Sequence, residues 1–337
     1  MTNKSILTFL IALHFFVGQS QTKNSYFELS LTNNSNFTTI CTILGNEKTD
    51  SVLAKQTKTI LFDLNNDQIS FSLNLWTTDL SAKSYQNKLI RILNTQGKKQ
   101  ITITDKNQLS YSLTPSEKII AEYNPQLRIK DFWKIDSIIN INSDDIAAGE
   151  IIFFSLCDID VKVDTIKKYY DLLTPKIKET AYGNRITNYL TARSRLNIGN
   201  KIDNFGLHDT TRNTINLNGI MSDYILLDFW FSRCAPCIKS FPELRDLYSK
   251  TQRDKFEIVG ISVDLPREKE LWKNTIKKYD LSWINLNDPK FAIAKSFAIV
   301  NYPTKVLLDK NRKVILVDTN NSYDSFYQEI EKLLNDK

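Results

Sequence analysis

One stretch constrains this 337-residue chain more than any other: residues 224 to 244, YILLDFWFSRCAPCIKSFPEL. Its first eight residues are apolar except for Asp228, which suits a strand buried on both faces. Cys234 and Cys237 come next, and an amphipathic helix begins with them. A chain that turns from a buried strand into a helix at this point places two sulfurs where helix N–H groups have no intrahelical partner.

Length and composition set the frame for that stretch. A chain of 337 residues exceeds one ordinary core, so two domains and a short terminal segment are expected. Hydrophobic residues at 42% and charged residues at 24% describe a folded globular protein. The net charge of +6 comes from Lys and Arg scattered among nearly as many Asp and Glu, which is a solvated surface and argues against a nucleic-acid partner. Residues 1–20 carry Lys4, an apolar run from Ile6 to Val17 broken by Thr8 and His14, and then Gly18 and Ser20. This pattern predicts a cleaved secretory signal, with an uncleaved membrane anchor as the alternative. The mature protein is then expected in an oxidising compartment, a bacterial periplasm. Its four cysteines are too sparse for a disulfide-stapled scaffold, and a pairing of the isolated Cys41 and Cys157 is left open.

Along the chain, residues 21–125 alternate at period two. The segments 38–44, 59–62, 69–76, 89–93, 101–104 and 109–113 predict a small antiparallel β domain, sandwich or barrel. A helical connector is expected over 126–195, with a helix starting at Ser143 and Asp144 and others over 164–173 and 175–190. From residue 196 the pattern alternates α and β: a hairpin over 203–217, buried strands over 224–231 and 256–264, and helices over 234–250, 266–279 and 288–299. Two closing strands at 304–309 and 313–318 precede a last helix over 322–334, so a mixed sheet covered on both faces is expected.

The chemistry rests on the cysteine pair. At a helix N-terminus the dipole favours the thiolate of Cys234, the species that attacks a disulfide. Cys237 lies one turn later, close enough to close a short ring and resolve a mixed disulfide. The same spacing also serves half of a zinc site or a structural disulfide. Zinc takes about four ligands, and besides the pair only His208, Cys41 and Cys157 are available without carboxylates. The strand-to-helix placement disfavours a structural role. Asp228 inside an apolar strand is costly unless used. Desolvation should raise its pKa and make it a candidate base for Cys237, while a place near the surface or pairing with a lysine is the plainer alternative.

The pattern DFW-x-x-x-C-x-P-C from Asp228, with Pro242 beyond it, resembles the thioredoxin superfamily. Tyr302-Pro303-Thr304 before KVLLD resembles that family's cis-proline loop. NIGNKIDNFGLHD and the segment 256–287 are similar to the exported TlpA-like thiol-disulfide oxidoreductases, and 169–186 resembles the lead-in of their two-domain members. The resemblance implies an α/β thioredoxin-like domain over 196–337, with a mixed central sheet flanked by helices, after a mostly-β N-terminal domain. It implies catalytic roles for Cys234, Cys237, Asp228 and Pro303, and substrate contacts for Arg233, Tyr302, Thr304 and Trp230. No cofactor is implied beyond the dithiol. Protein thiols or disulfides are the implied partners, and a membrane donor supplies electrons if the protein is a reductant.

Two positions depart from the pattern. Arg233 stands where the family generally has Trp, which favours the thiolate but removes an apolar docking platform. Ala235-Pro236 is close to reducing members, though Gly is commoner at its first position. A peroxidase of related fold is disfavoured, because Leu227 and Phe231 occupy the positions where it needs Pro and Thr. A second class of function stays open, in which the β domain docks a partner and the dithiol is a sensor or a remnant.

Overall fold

The computed structural model describes residues 25–335 except 37, 44–48, 65–69, 80–83, 94–97, 105–108, 112, 123–131, 158–160 and 320–322. The expected signal segment lies outside the described residues. The chain divides into two compact units, Met1–Ser155 with Lys168–Ile186, and Leu156–Lys167 with Thr187–Lys337.

The first unit is strand-rich. Its strands are β1 (Ser25–Asn33), β2 (Thr39–Ile43), β3 (Thr49–Val52), β4 (Gln56–Leu64), β5 (Ser70–Asp79), β6 (Ser84–Leu93), β7 (Lys98–Ile103) and β8 (Leu109–Tyr111). They form two four-stranded sheets, β4-β1-β7-β8 and β3-β2-β5-β6. Leu29 and Leu31 of β1, Cys41 of β2, Phe62 of β4, Leu73 and Leu75 of β5 and Ile101 of β7 share one core cluster, so the two sheets form a sandwich. The pairing is not antiparallel throughout: β1 and β7 run parallel. They are far apart in the chain, and the intervening strands supply the crossover that a parallel pair requires.

Beyond them lie the helices α1 (Pro115–Glu122), α2 (Phe132–Ile141), α3 (Ile146–Leu156), α4 (Val163–Leu172), α5 (Pro175–Lys178) and α6 (Ala181–Ser194). Sequence periodicity does not mark α1 and α2. The residue that caps α3 is Asp145, not Ser143 or Asp144, since its Oδ1 accepts the Ala147 N–H at 2.8 Å. The single helix expected over 175–190 is broken in two at Thr180, whose hydroxyl accepts the Gly183 N–H. A Cβ at Gly183 would lie 2.1 Å from the Lys178 carbonyl oxygen, so the break needs a glycine there.

The second unit is built on a seven-stranded mixed sheet. Its elements are β9 (Gly206–Asp209), β10 (Thr214–Asn216), β11 (Tyr224–Trp230), α7 (Ala235–Ser249), β12 (Phe256–Ser262), α8 (Lys269–Tyr279), β13 (Ile284–Asn287), α9 (Ala292–Ser296), β14 (Thr304–Asp309), β15 (Val314–Asp318) and α10 (Tyr323–Asn335). The strand order is β10-β9-β13-β12-β11-β14-β15. The parallel trio β11, β12 and β13 sits between antiparallel neighbours.

Side chains of β11 alternate. Ile225, Leu227 and Phe229 face a layer holding Ala294 of α9 and Phe297. Leu226 and Trp230 face Phe241 of α7, Trp272 of α8 and Ile330 of α10. The short strand β13 escapes the sequence pattern. Helix α9 is shorter than expected because Asp288 accepts the N–H groups of Ala292, Ile293 and Ala294, which starts the helix four residues late.

On the α7 face, register aligns Asp228 with Gly260 and Gly260 with Asn285. A Cβ at Gly260 would come within 3.0–3.2 Å of Trp283 Nε1, Asn285 Oδ1 and Trp230 Nε1. Gly260→Ala should therefore overpack this row and cost about 1–3 kcal/mol. Denaturant unfolding checks it: the midpoint should fall at an unchanged slope, and an unshifted midpoint would show that the row can yield.

Candidate active site

Strand β11 ends at Trp230, and four residues turn the chain into α7. Cys234 is the cap of that helix: its backbone is extended (φ −79°, ψ 98°), and its sulfur accepts the Cys237 N–H at 3.1 Å. Pro236 in the first turn has no N–H to leave unpaired. Cys234 and Cys237 are joined in a disulfide with their Cα atoms 5.2 Å apart. Both are buried, Cys237 at 0% exposed and Cys234 at 3%, so the little exposure the pair has lies on Cys234. Cys41 and Cys157 lie outside any disulfide and are buried, and burial pushes the Cys41 thiol up to about 12. Such a thiol is inert at neutral pH.

The loop ahead of the dithiol is pinned by a carboxylate just past β12. Asp264 accepts the Ser232 N–H through both oxygens, at 3.1 and 3.0 Å, and the Ser232 and Ser262 hydroxyls at 2.7 and 2.6 Å. Burial pushes its carboxyl above the ordinary range, and these hydrogen bonds pull it back. Arg233 is 59% exposed, with Nε 3.5 Å from Glu268 Oε1. An exposed pair of this kind is worth about 0–1 kcal/mol, so the guanidinium stays available to solvent beside Cys234.

The peptide before Pro303 is cis. The Tyr302 ring stands edge-on to Phe231 with centroids 5.5 Å apart, which seats the loop before β14 against the loop before the dithiol. Burial, then the charge of Asp288, push the Tyr302 hydroxyl up.

Asp228 is 1% exposed, and its register neighbour on β14 is Lys305, also 1% exposed. Lys305 Nζ lies 3.5 Å from Asp228 Oδ1, an ion-pair contact longer than a good hydrogen bond. Neither carboxylate oxygen has a hydrogen-bond partner among the described residues. Burial pushes the Asp228 carboxyl up and the lysine opposes it. Desolvation and a lysine partner thus occur together at Asp228, and the near-surface position does not.

Of the eight site residues named from the sequence, Asp228, Trp230, Arg233, Cys234 and Cys237 lie on the β11–α7 connection, and Tyr302, Pro303 and Thr304 at the head of β14, which pairs with β11. Two need correction as substrate contacts. The Trp230 side chain is fully buried against Phe241, and the Thr304 hydroxyl turns inward to the Asn301 carbonyl at 2.7 Å. Both side chains pack the site from inside. Sequence reasoning misses Lys305, Ser240 and Asp264. For Lys305 a signal exists, a lone cation in a closing strand that otherwise reads as apolar.

A buried strand, a dithiol on the first turn of the next helix and a cis proline before the adjacent strand define a thioredoxin-like domain. The thioredoxin-like family profile matches residues 222–314. Thiol-disulfide oxidoreductase ResA of Bacillus thuringiensis subsp. konkukian is 32% identical over 128 residues, 38% of this chain and 72% of the relative. ResA of Bacillus cereus (strain ATCC 10987) is 31% identical over the same shares. The thioredoxin domain of a thiol-disulfide oxidoreductase from Bacteroides vulgatus is 28% identical, with 41% of this chain and 98% of that one covered and a TM-score of 0.37. The chain belongs to the thioredoxin-like thiol-disulfide oxidoreductases, and it is an oxidoreductase.

Asp264 provides a test of how the loop is held. The folded state binds its proton more tightly than the unfolded chain, in which an Asp titrates near about 3.9. Its contribution to stability is therefore complete below that value and is lost as the pH rises through the raised folded value. Asp264→Asn does not titrate, so the wild type's advantage over it should shrink as the pH rises. Denaturant unfolding from acid to neutral pH measures this, and a constant difference would contradict it.

Proposed function

We propose that this chain is an exported, TlpA-like reductant of protein disulfides, recharged by a membrane electron donor. The observation that carries it is the Cys234–Cys237 disulfide at the α7 N-terminus, with Cys234 as the helix cap and what exposure the pair has on Cys234. Cys234 attacks the partner disulfide and forms a mixed disulfide. Asp228 takes the proton of Cys237, whose thiolate then attacks Cys234 and releases the partner as a dithiol. The partner gains two electrons, and the protein ends as the Cys234–Cys237 disulfide.

Pro303 and the Tyr302 backbone border the docked segment in this reading, and Arg233 contacts the partner's charge. Export is supported by the signal-like residues 1–20, and the direction of electron flow by the Ala235-Pro236 interior. Among the described residues no helix is long and apolar enough to cross a membrane.

Turnover of a disulfide-bonded peptide tests the enzymatic core of the proposal. Cys234→Ser should lose at least about a thousandfold, the scale expected when a nucleophile is removed. Cys237→Ser should instead accumulate the mixed disulfide, visible on a non-reducing gel. Wild-type turnover in Cys234→Ser would overturn the proposal.

A further inference from the structure

The three parallel strands end at one edge of the sheet, and the charged side chains there are divided unevenly between inside and outside. Register sets Trp230 of β11 beside Ser262 of β12 and Ser262 beside Asn287 of β13, so the chain leaves all three strands at the edge where the dithiol sits. The acids that follow β12 and β13 turn inward. Asp264 is 2% exposed and Asp288 1%, and their oxygens are taken up by backbone N–H and serine hydroxyl donors. The cations turn outward. Arg233, next to Cys234, has 59% of its side chain exposed, and Arg267 and Lys290 are exposed in the connections after β12 and β13.

Two further carboxylates follow β12, and each is already engaged. Glu268 accepts the Leu265 N–H through Oε2 at 3.3 Å and meets Arg233 Nε through Oε1 at 3.5 Å. Glu270, in the first turn of α8, lies 4.0 Å from Lys273 of the same helix. The Glu268 contact reaches Arg233 at Nε and leaves the terminal pair of nitrogens, a fork that can grip a carboxylate in two parallel hydrogen bonds. On the other side of Cys234, Ala235 and Pro236 are exposed and carry no charge. A chain that approaches the disulfide along this edge therefore meets positive charge.

We propose that this edge is a cationic docking surface and that Arg233 selects its partner, a polypeptide segment with Asp or Glu beside the disulfide-bonded cysteine. The proposal deepens the reading of the chain as a reductant of protein disulfides and rests on it. The partner's carboxylate meets the terminal nitrogens of Arg233 while Glu268 keeps its contact at Nε, and Arg267 and Lys290 attract it from farther off. No bond is made or broken by this contact. It raises the rate of encounter, and a basic segment is repelled, so selection comes from the difference between the two.

Three synthetic peptides test the proposal, alike in one internal disulfide and differing only in whether Glu, Gln or Lys flanks the cysteines. The full chain, reduced beforehand and separated from the reductant, is mixed with each, and the second-order rate constant of peptide reduction is measured. Each constant is divided by that of the same peptide with dithiothreitol, which removes the effect of the flanking charge on the disulfide itself. The wild type should favour the Glu peptide over the Gln peptide about fivefold and disfavour the Lys peptide about fivefold, the scale of one exposed ion pair. At about 1 M salt, where the Debye length is about 3 Å, the three values should converge. Arg233→Gln should bring the ratios toward unity, and Arg233→Glu should reverse their order. Any effect of these substitutions on the Cys234 thiolate acts on all three peptides alike and cancels in the ratios. Equal values for the three peptides in the wild type at low salt would overturn the proposal, as would wild-type ratios in Arg233→Glu. No reduction of any peptide would remove the reductant reading and this proposal with it, whereas equal values remove this proposal alone, so the two failures are distinct.

Discussion

Strand β11 is hydrogen-bonded along both edges and buried on both faces, and this fixes where the next helix can start. A strand in that position has its backbone groups satisfied and its side chains packed, so it has no freedom to slide or rotate. The chain leaves the sheet at Trp230, and the residue that caps the next helix carries a sulfur. The position of Cys234 is thus a property of where an apolar strand stops. Asp264 holds the intervening loop through the N–H and hydroxyl of Ser232, and Phe231 supplies a ring for Tyr302 to stand on.

Against this apolar frame, the ion pair of Asp228 and Lys305 is an expense. Taking each charge out of water costs several kcal/mol, and the attraction between them offsets this only with good geometry. Here the contact is 3.5 Å, and the carboxyl still titrates above its ordinary value. Desolvation therefore outweighs the lysine, and the pair is a poor stabilising device. A well-packed apolar pair of similar volume would serve stability better.

Some of this is legible in the sequence, and the rest is hidden for identifiable reasons. Strands β11 and β12 announce themselves as apolar runs, and the dithiol marks the helix start. In the β-rich part, period-two alternation identifies most strands but not the parallel pairing of β1 with β7, because pairing partners are set by the path of the chain. Strand β13 is four residues long with a buried Asn285 in it, too short and too polar to read. The start of α9 depends on one carboxylate collecting three N–H groups, which composition cannot distinguish from a longer helix. Lys305 is visible as an oddity, but only the register of β14 on β11 brings it to Asp228. Trp230 and Thr304 mislead for the related reason that nearness to a motif says nothing about which way a side chain faces.

The pleat of β11 also imposes a count on the chain. Its residues alternate between two different layers, so inserting or deleting one residue before Trp230 would exchange the layers wholesale. The carboxylate would then point at Phe297 and Ala294 while its lysine stayed on the opposite side of the sheet. Beyond Trp230 a second count begins, set by the turn that delivers Cys234 to the cap of α7 and Cys237 beneath it. The interval from Asp228 to the first sulfur behaves as a ruler with two scales, one graduated in strand steps and one in helix turns, and its length can change only where both scales agree.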